Sequence, residues 1–221
     1  MPLDRKTYKW FYDHIHSRYY NLLVKWCFLP VGGEAGCREA LIAPVDFSPH
    51  ETILDMCCGT GGATYAIWKR AGEGSRIIGM DLSHGQIRAA KTRSGLSGVR
   101  WVEGDAEHTP FRDGSFDRVL IAHALHEMPR GIRHRALTEA RRVLRDNGTL
   151  VVLELDTAPS LLVRLLGGLW CFYWLPFNFE TPTRRDMLKH GLTTEVMEAG
   201  FERITKTSSC RGAFQTVQGV K

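Results

Sequence analysis

The sequence predicts a single α/β domain, doubly wound around a mostly parallel sheet. Three observations predict it. Short apolar runs alternate with amphipathic helical segments from residue 52 to residue 155. A glycine turn, Gly59-Thr60-Gly61-Gly62, separates the first run from the first of these helices, where open α/β sheets bind ligands. Acids stand at or just past three successive strand ends, at Asp55, Asp81 and Asp105. A chain of 221 residues, 43% of them hydrophobic, fills one substantial core without repeats or low-complexity tracts.

Residues 8–28 are aromatic-rich and read as a helix that stops before Pro30. Gly32-Gly33 breaks the chain, and residues 34–43 form a second short helix. Residues 52–56 are the first strand, followed by a helix over 61–70. Residues 76–81 form a buried strand, and Ser83 is placed to cap the helix that runs to Thr92. Strands follow over 99–103 and 116–122. The helix over 130–145 carries an apolar stripe of Ile132, Ala136, Leu137, Ala140, Val143 and Leu144, so its arginines read as a solvated face. Asn147-Gly148 gives that helix a stop. Residues 149–155 are the fifth strand. After Phe201, two strands separated by Cys210-Arg211-Gly212 predict an antiparallel hairpin at the sheet edge.

Charge and cysteines bound the function. The net charge of +5 is spread along the chain except in the 130–145 helix, and no nucleic-acid partner is expected. Residues 1–10 are polar and basic and lack the apolar centre of a signal peptide. The six cysteines, Cys27, Cys37, Cys57, Cys58, Cys171 and Cys210, show no metal-ligand spacing. Scattered thiols of this kind fit a reducing cytoplasm.

A dinucleotide fingerprint needs a third glycine three residues after the second, and Thr64 stands there. The stretch Ile53-Leu54-Asp55-Met56-Cys57-Cys58-Gly59-Thr60-Gly61 instead resembles motif I of class I S-adenosylmethionine-dependent methyltransferases. Cys57 occupies the position of that family's first glycine. In Gly79-Met80-Asp81-Leu82-Ser83, Asp81 matches the family acid that holds the ribose hydroxyls, and Leu82 would pack on the adenine. In Glu103-Gly104-Asp105-Ala106, Asp105 matches the acid facing the adenine amino group, and Ala106 would offer a backbone N–H. Residues 113–128 resemble the fourth strand and following loop of the small-molecule members, with Ala122 and His123 beneath the cofactor's methionine end. Neither Asn-Pro-Pro-Tyr nor Asp-Pro-Pro-Tyr follows this strand, which argues against methylation of DNA base amines.

The resemblance implies a Rossmann-like, seven-stranded methyltransferase fold with S-adenosylmethionine as cofactor. It also divides the chain into an N-terminal helical cap (1–48), a cofactor-binding core (49–156), a lid or insert (157–200) and an edge hairpin (201–221). Candidate groups for the acceptor are Tyr12, Tyr19 and His126, with His126 a general base or a structural loop histidine. Tyr19 and Asn21 match the opening of ubiquinone and menaquinone C-methyltransferases, although Tyr20 replaces their aspartate. The whole pattern, including residues 178–185, is also similar to methyltransferases described as corrinoid-protein-associated, which implies contact with a corrinoid protein. Residues 165–177 carry no charge and are too short to span a bilayer. They read as a buried or dimer-forming helix, a hydrophobic substrate pocket, or a membrane-surface contact. The leading expectation is a methyltransferase for a small, apolar or aromatic acceptor. Its rivals are a cofactor- or partner-binding protein without turnover and an RNA methyltransferase with a basic groove at the cofactor mouth.

Overall fold

The computed structural model describes residues 7, 9–10, 12–16, 33–93, 95–96, 98–157 and 181–221. Seven strands form one sheet: β1 (Thr52–Met56), β2 (Arg76–Asp81), β3 (Arg100–Glu103), β4 (Phe116–Ala122), β5 (Leu144–Leu155), β6 (Glu202–Ser209) and β7 (Phe214–Val220). Their order is β3-β2-β1-β4-β5-β7-β6. The first five pair in parallel, while β7 runs antiparallel to both β5 and β6. The order reverses between β1 and β4, so loops leaving these neighbours diverge and open a crevice at their carboxyl ends.

Side chains alternate across the sheet with a period of two. Leu54, Val119, Ile121, Leu150 and Val152 face one way, toward α4 (Arg130–Val143), α5 (Thr181–His190) and α6 (Leu192–Glu198). Ile53, Leu120, Val151 and Leu153 face the other way, against α1 (Glu34–Ile42) and α2 (Gly62–Arg70). Truncating any one of these fully buried aliphatics to Ala costs about 2–5 kcal/mol. The remaining helix, α3 (His84–Lys91), begins where Ser83 Oγ accepts the Gln86 N–H, as its capping position predicts.

Three local expectations need correction. The 130–145 helix ends at Val143, not at Asn147-Gly148. Leu144 already has extended backbone and pairs with Phe116, so β5 starts there and Asn147 is an irregular residue within it, at φ +61°. The arginines of α4 are not all solvated. Arg133 is fully buried, donates to Glu195 at 2.6 and 2.7 Å and to Asp186 at 2.6 Å, and thereby ties α4 to α5 and α6. Breaking such a pair costs about 3–5 kcal/mol, because the surviving charge stays buried. Lastly, Cys37 on α1 and Cys210 beyond β6 form a disulfide with a Cα separation of 5.7 Å, so these two are not scattered thiols. Of the 157–200 segment, the described part packs on the sheet: Met187, Leu192 and Val196 are core residues.

Candidate active site

The loop after β1 is shaped by two kinds of glycine. Gly59 has φ +54°, and a Cβ there would meet nothing within 4 Å, so its face is open for close approach. Gly61 has φ +77°, and its Cβ would press on Trp101 at 3.0 Å. Gly61 is therefore demanded by backbone conformation and by the ring behind the loop. Between β1 and these glycines, Cys57 takes φ +64°, the left-handed region glycine would occupy without strain. Burial and the nearby carboxylates of Asp81, Asp55 and Glu127 push its thiol well above the usual range, so it is no thiolate nucleophile.

Asp81 organises the loop from the neighbouring strand. Its Oδ2 accepts the Gly59 N–H at 2.8 Å and its Oδ1 accepts the Ser83 N–H at 2.9 Å. A carboxylate offers about four lone-pair positions, so two remain for donors such as a diol. Burial raises its pKa in spite of both N–H donors. Asp55, fully buried, accepts from Thr64 Oγ1 at 2.5 Å through Oδ2, while Oδ1 has no partner. Burial lifts its pKa to about 7. On the next strand, Gly104 N–H donates to the Asp81 carbonyl at 2.9 Å, which sets Asp105 and the buried Ala106 beside the same edge. Asp105 Oδ1 accepts the Glu107 N–H at 3.0 Å, and its side chain remains 21% exposed.

On the other side of the crevice, β4 ends in Ala122 and His123. His123 N–H donates to the Leu153 carbonyl at 2.8 Å, and its ring packs edge-on against Phe214. Burial lowers its pKa to about 3, which keeps the imidazole neutral. A 3₁₀ turn, Leu125–Glu127, follows. His126 lies within it, 9% exposed, with Nδ1 2.7 Å from Oε1 of Glu154. The other oxygen, Oε2, accepts the His126 N–H at 3.3 Å. Glu154 is itself fully buried near the end of β5. Burial would raise its pKa, but the charge and hydrogen bond of His126, helped by His123, hold it below the usual carboxylate range.

An N-terminal π-helical turn, Tyr12–His16, bridges the two sides. Asp13 Oδ1 accepts Ser83 Oγ at 2.6 Å and the Gly85 N–H at 3.0 Å, and so joins the cap of α3. Tyr12 Oη donates to Glu127 Oε2 at 2.5 Å. Lys9 Nζ reaches the Leu82 carbonyl at 2.6 Å and Glu103 at 2.5 Å. One short segment therefore crosses from the β2 loop to the β4 loop, over the crevice.

Comparison with known proteins then decides the family. A family model described as a methyltransferase domain matches residues 53–148. A demethylmenaquinone methyltransferase from Thermobifida fusca is 39% identical over 71% of this chain and 64% of its own length. The chain is a class I S-adenosylmethionine-dependent methyltransferase. Two further relatives cover more of their own lengths. An uncharacterized methyltransferase from Synechocystis is 29% identical over 90% of this chain and 89% of the relative. A demethylmenaquinone methyltransferase from Lactiplantibacillus plantarum is 28% identical over 80% and 81%. Among solved structures, a phosphoethanolamine N-methyltransferase 2 from Haemonchus contortus in complex with S-adenosylmethionine has a TM-score of 0.68 at 15% identity. It covers 97% of this chain and 60% of that one, and shows the shared fold.

The residues of this methyltransferase fit the cofactor's chemistry. The open face of Gly59 leaves room beside the loop, Asp81 retains acceptor capacity, and the orphaned Asp55 oxygen needs a donor. Asp55, Cys57, Gly59, Asp81, Leu82, Asp105 and Ala106 gather at the edge of β1, β2 and β3, with Gly61 one layer behind and Ala122 and His123 across the crevice. Tyr19 lies outside the described residues, as do residues 165–177. Sequence reasoning missed Thr64, Asp13, Lys9, Glu127 and Glu154. Glu154 had a signal: it is an acid inside the apolar run Leu150-Val151-Val152-Leu153. Thr64 reaches Asp55 from only nine residues away, whereas Asp13, Lys9 and Glu127 owe their places to contacts between segments far apart in sequence, which spacing does not encode. Among the described residues no helix is long and apolar enough to cross a membrane.

Proposed function

We propose that the methyltransferase methylates a ring carbon of a reduced, quinone-type acceptor carrying an apolar chain, with His126 as general base and Glu154 as its positioning residue. The observation that carries this reading is the buried Glu154–His126 pair. Both carboxylate oxygens are engaged by His126, and the contact to Nδ1 favours the tautomer with the proton on that nitrogen. Nε2 is then the basic nitrogen. A carboxylate so placed also stabilises the imidazolium that forms on proton uptake.

When bound, S-adenosylmethionine supplies an electrophilic methyl carbon on a positively charged sulfur. His126 Nε2 accepts the acceptor's hydroxyl proton, which makes the adjacent ring carbon nucleophilic. With the cofactor held by the acids at the strand ends, that carbon would take its methyl group, and the carbon–sulfur bond would break as the new bond forms. The ring hydrogen at that carbon moves to the oxygen as aromaticity returns, and His126 releases its proton to water. The acids at the ends of β1, β2 and β3 orient the cofactor, and the turn bearing Tyr12 shields the crevice from water.

The relatives named for demethylmenaquinone, and a 2-phytyl-1,4-beta-naphthoquinone methyltransferase from Arabidopsis thaliana that is 29% identical over 59% of this chain, support an aromatic acceptor with a long tail. The chargeless residues 165–177 suit such a tail in composition. They equally suit contact with the membrane surface where a tailed acceptor would reside. Tyr19 is a second acceptor-side candidate. A corrinoid-protein partner rests only on the likeness of the sequence pattern, including residues 178–185. The test is transfer of a labelled methyl group to chemically reduced, prenylated 1,4-naphthoquinone. The reading predicts a carbon-methylated product. An oxygen-methylated product, or no transfer to any reduced quinone, would overturn it.

A further inference from the structure

The two strands of the edge hairpin are joined by a turn that its own residues do not favour. Cys210 and Arg211 both take left-handed backbone, at φ +53° and +59°, and Gly212 follows at φ +76°. Residues with a Cβ enter that region at a cost that glycine avoids. A covalent bond holds the turn. Cys210 is joined to Cys37 on α1, across 173 residues of sequence. The two ends of this bridge are unequal. Cys37 is 2% exposed, and α1 is anchored besides by fully buried Leu41 and Ile42. Thr216 Oγ1 on β7 donates to the Leu41 carbonyl at 2.6 Å, and Gln218 Nε2 donates to the Pro44 carbonyl at 3.1 Å. Cys210 is half-buried and stands in the turn, next to exposed Arg211. Just past the turn, β7 opens with Phe214, whose ring packs edge-on against His123 at a centroid distance of 5.2 Å. The charges of Glu154 and His126 both act on His123. One bridge thus fixes a turn that ends at the wall of the acceptor side.

We propose that the Cys37–Cys210 bridge is a thiol–disulfide exchange site through which a dithiol reductant controls the acceptor side of the crevice. The reductant's first thiolate attacks Sγ of Cys210, the more accessible sulfur. The bond to Cys37 breaks, and Cys37 leaves with the electron pair and takes up a proton. The reductant's second thiol loses its proton and displaces Cys210 from the mixed disulfide, and Cys210 is protonated in turn. Two electrons and two protons have then passed to the protein, and the reductant has become a disulfide. α1 keeps its place, because its core contacts and the hydrogen bonds from Thr216 and Gln218 are untouched. The turn alone is released. It relaxes toward negative φ and draws Phe214 off His123, so the imidazole loses its wall and the Glu154–His126 pair beside it loses its fixed setting. Among the described cysteines exchange stays confined to this pair, since burial keeps Cys57 and Cys58 as protonated thiols. With Cys37 still in place, reoxidation closes the same bond.

The effect on turnover rests on the function proposed above, so one of the two readouts involves no acceptor. The first is the NMR signal of the His123 ring in the free protein, which carries the ring-current shift of Phe214. Dithiothreitol should expose Cys37 and Cys210 to alkylation, read by mass, and remove that shift. Cys37→Ala/Cys210→Ala should lack the shift with or without dithiothreitol, which also controls for Cys27 and Cys171. The second readout is methyl transfer to the reduced, prenylated naphthoquinone. Dithiothreitol should lower kcat by about 10- to 100-fold, the scale for misplacing a group near the chemistry by about 1 Å. Calorimetric affinity for S-adenosylhomocysteine should stay within about twofold. Phe214→Leu should abolish the response of kcat to dithiothreitol, as expected when both changes act through one contact. Failure of the pair to be reduced, or an unchanged His123 signal on reduction, overturns the proposal whatever the activity. So does an equal loss of cofactor affinity, which marks a general loosening of the fold. A responding His123 signal with no methyl transfer to the quinone in either redox state strikes the acceptor assignment and supports the exchange site.

Discussion

The acids on the two sides of the crevice are held in opposite ways. At the ends of β1 and β2, burial raises the pKa of Asp55 to about 7 and that of Asp81 above its usual value, and Asp55 keeps one oxygen unpartnered. At the end of β5, Glu154 is just as buried, yet His126 and His123 hold its pKa down. The first region leaves one buried carboxylate oxygen without a donor. The second is satisfied by its own side chains. On the function proposed above, that difference separates the side that binds the cofactor from the side that positions a base. In the first, two backbone N–H groups fix Asp81 and the Thr64 hydroxyl fixes Asp55; in the second, the His126 ring and the backbone N–H groups of His126 and Leu155 occupy both oxygens of Glu154.

The largest effect should come from the acceptor side. His126→Asn is expected to lower kcat by about 10²- to 10⁴-fold, the usual contribution of a positioned general base. Cofactor affinity should stay within about twofold, because the side chain serves only the acceptor. A matching loss of cofactor affinity, read by calorimetry, would erase the distinction between the two regions.

Next comes the ribose acid. Asp81→Ala should weaken S-adenosylhomocysteine and methylthioadenosine alike, by about 10- to 150-fold, or 1.5–3 kcal/mol. Both ligands carry the ribose, so unequal losses would move Asp81 away from it.

Stability against pH sharpens the contrast, because the two regions carry opposite signs. Between its ordinary value of 3.8 and about 7, folded Asp55 holds a proton that the unfolded chain has lost. Stability therefore falls as pH rises through that window, by up to about 1.4 kcal/mol per pH unit from this group. Asp55→Asn should flatten that slope in urea denaturation of the free protein. Glu154 has a folded pKa below 4.5, so its contribution is full above that pH and is lost as pH falls further. Glu154→Gln should change the acid limb and leave the neutral slope alone. Identical curves for the two variants would refute the opposed settings.

The smallest effect belongs to Cys57. A non-glycine residue in the left-handed region costs about 1–2 kcal/mol, and Cys57→Gly relieves that while adding freedom to the unfolded chain. The two nearly cancel, so the melting temperature should move by no more than about 4 °C, with cofactor affinity unchanged. A large loss of affinity would give the thiol a binding role.

The same contrast explains what the sequence made legible. Asp55, Asp81 and Asp105 were readable because each stands at or just past a strand end, and a parallel sheet brings successive strand ends to one edge. The strands themselves were readable from period-two burial, as at Ile53 and Leu54. His126 was visible only as a residue type with suitable chemistry. Its partner Glu154 lies 28 residues away, and Tyr12 meets Glu127 across 115. Arg133 was misread for the same reason: helical periodicity cannot foresee that α6 presents Glu195 to it. Contacts that depend on how distant segments dock leave no local signature.

The most direct test of the division is the calorimetric affinity for S-adenosylhomocysteine measured side by side in wild type, Asp81→Ala and Glu154→Gln. The account predicts about a 10- to 150-fold loss in Asp81→Ala and wild-type affinity in Glu154→Gln. Equal losses in the two variants would contradict it, because the crevice would then be one continuous cofactor site with no separate side for the acceptor.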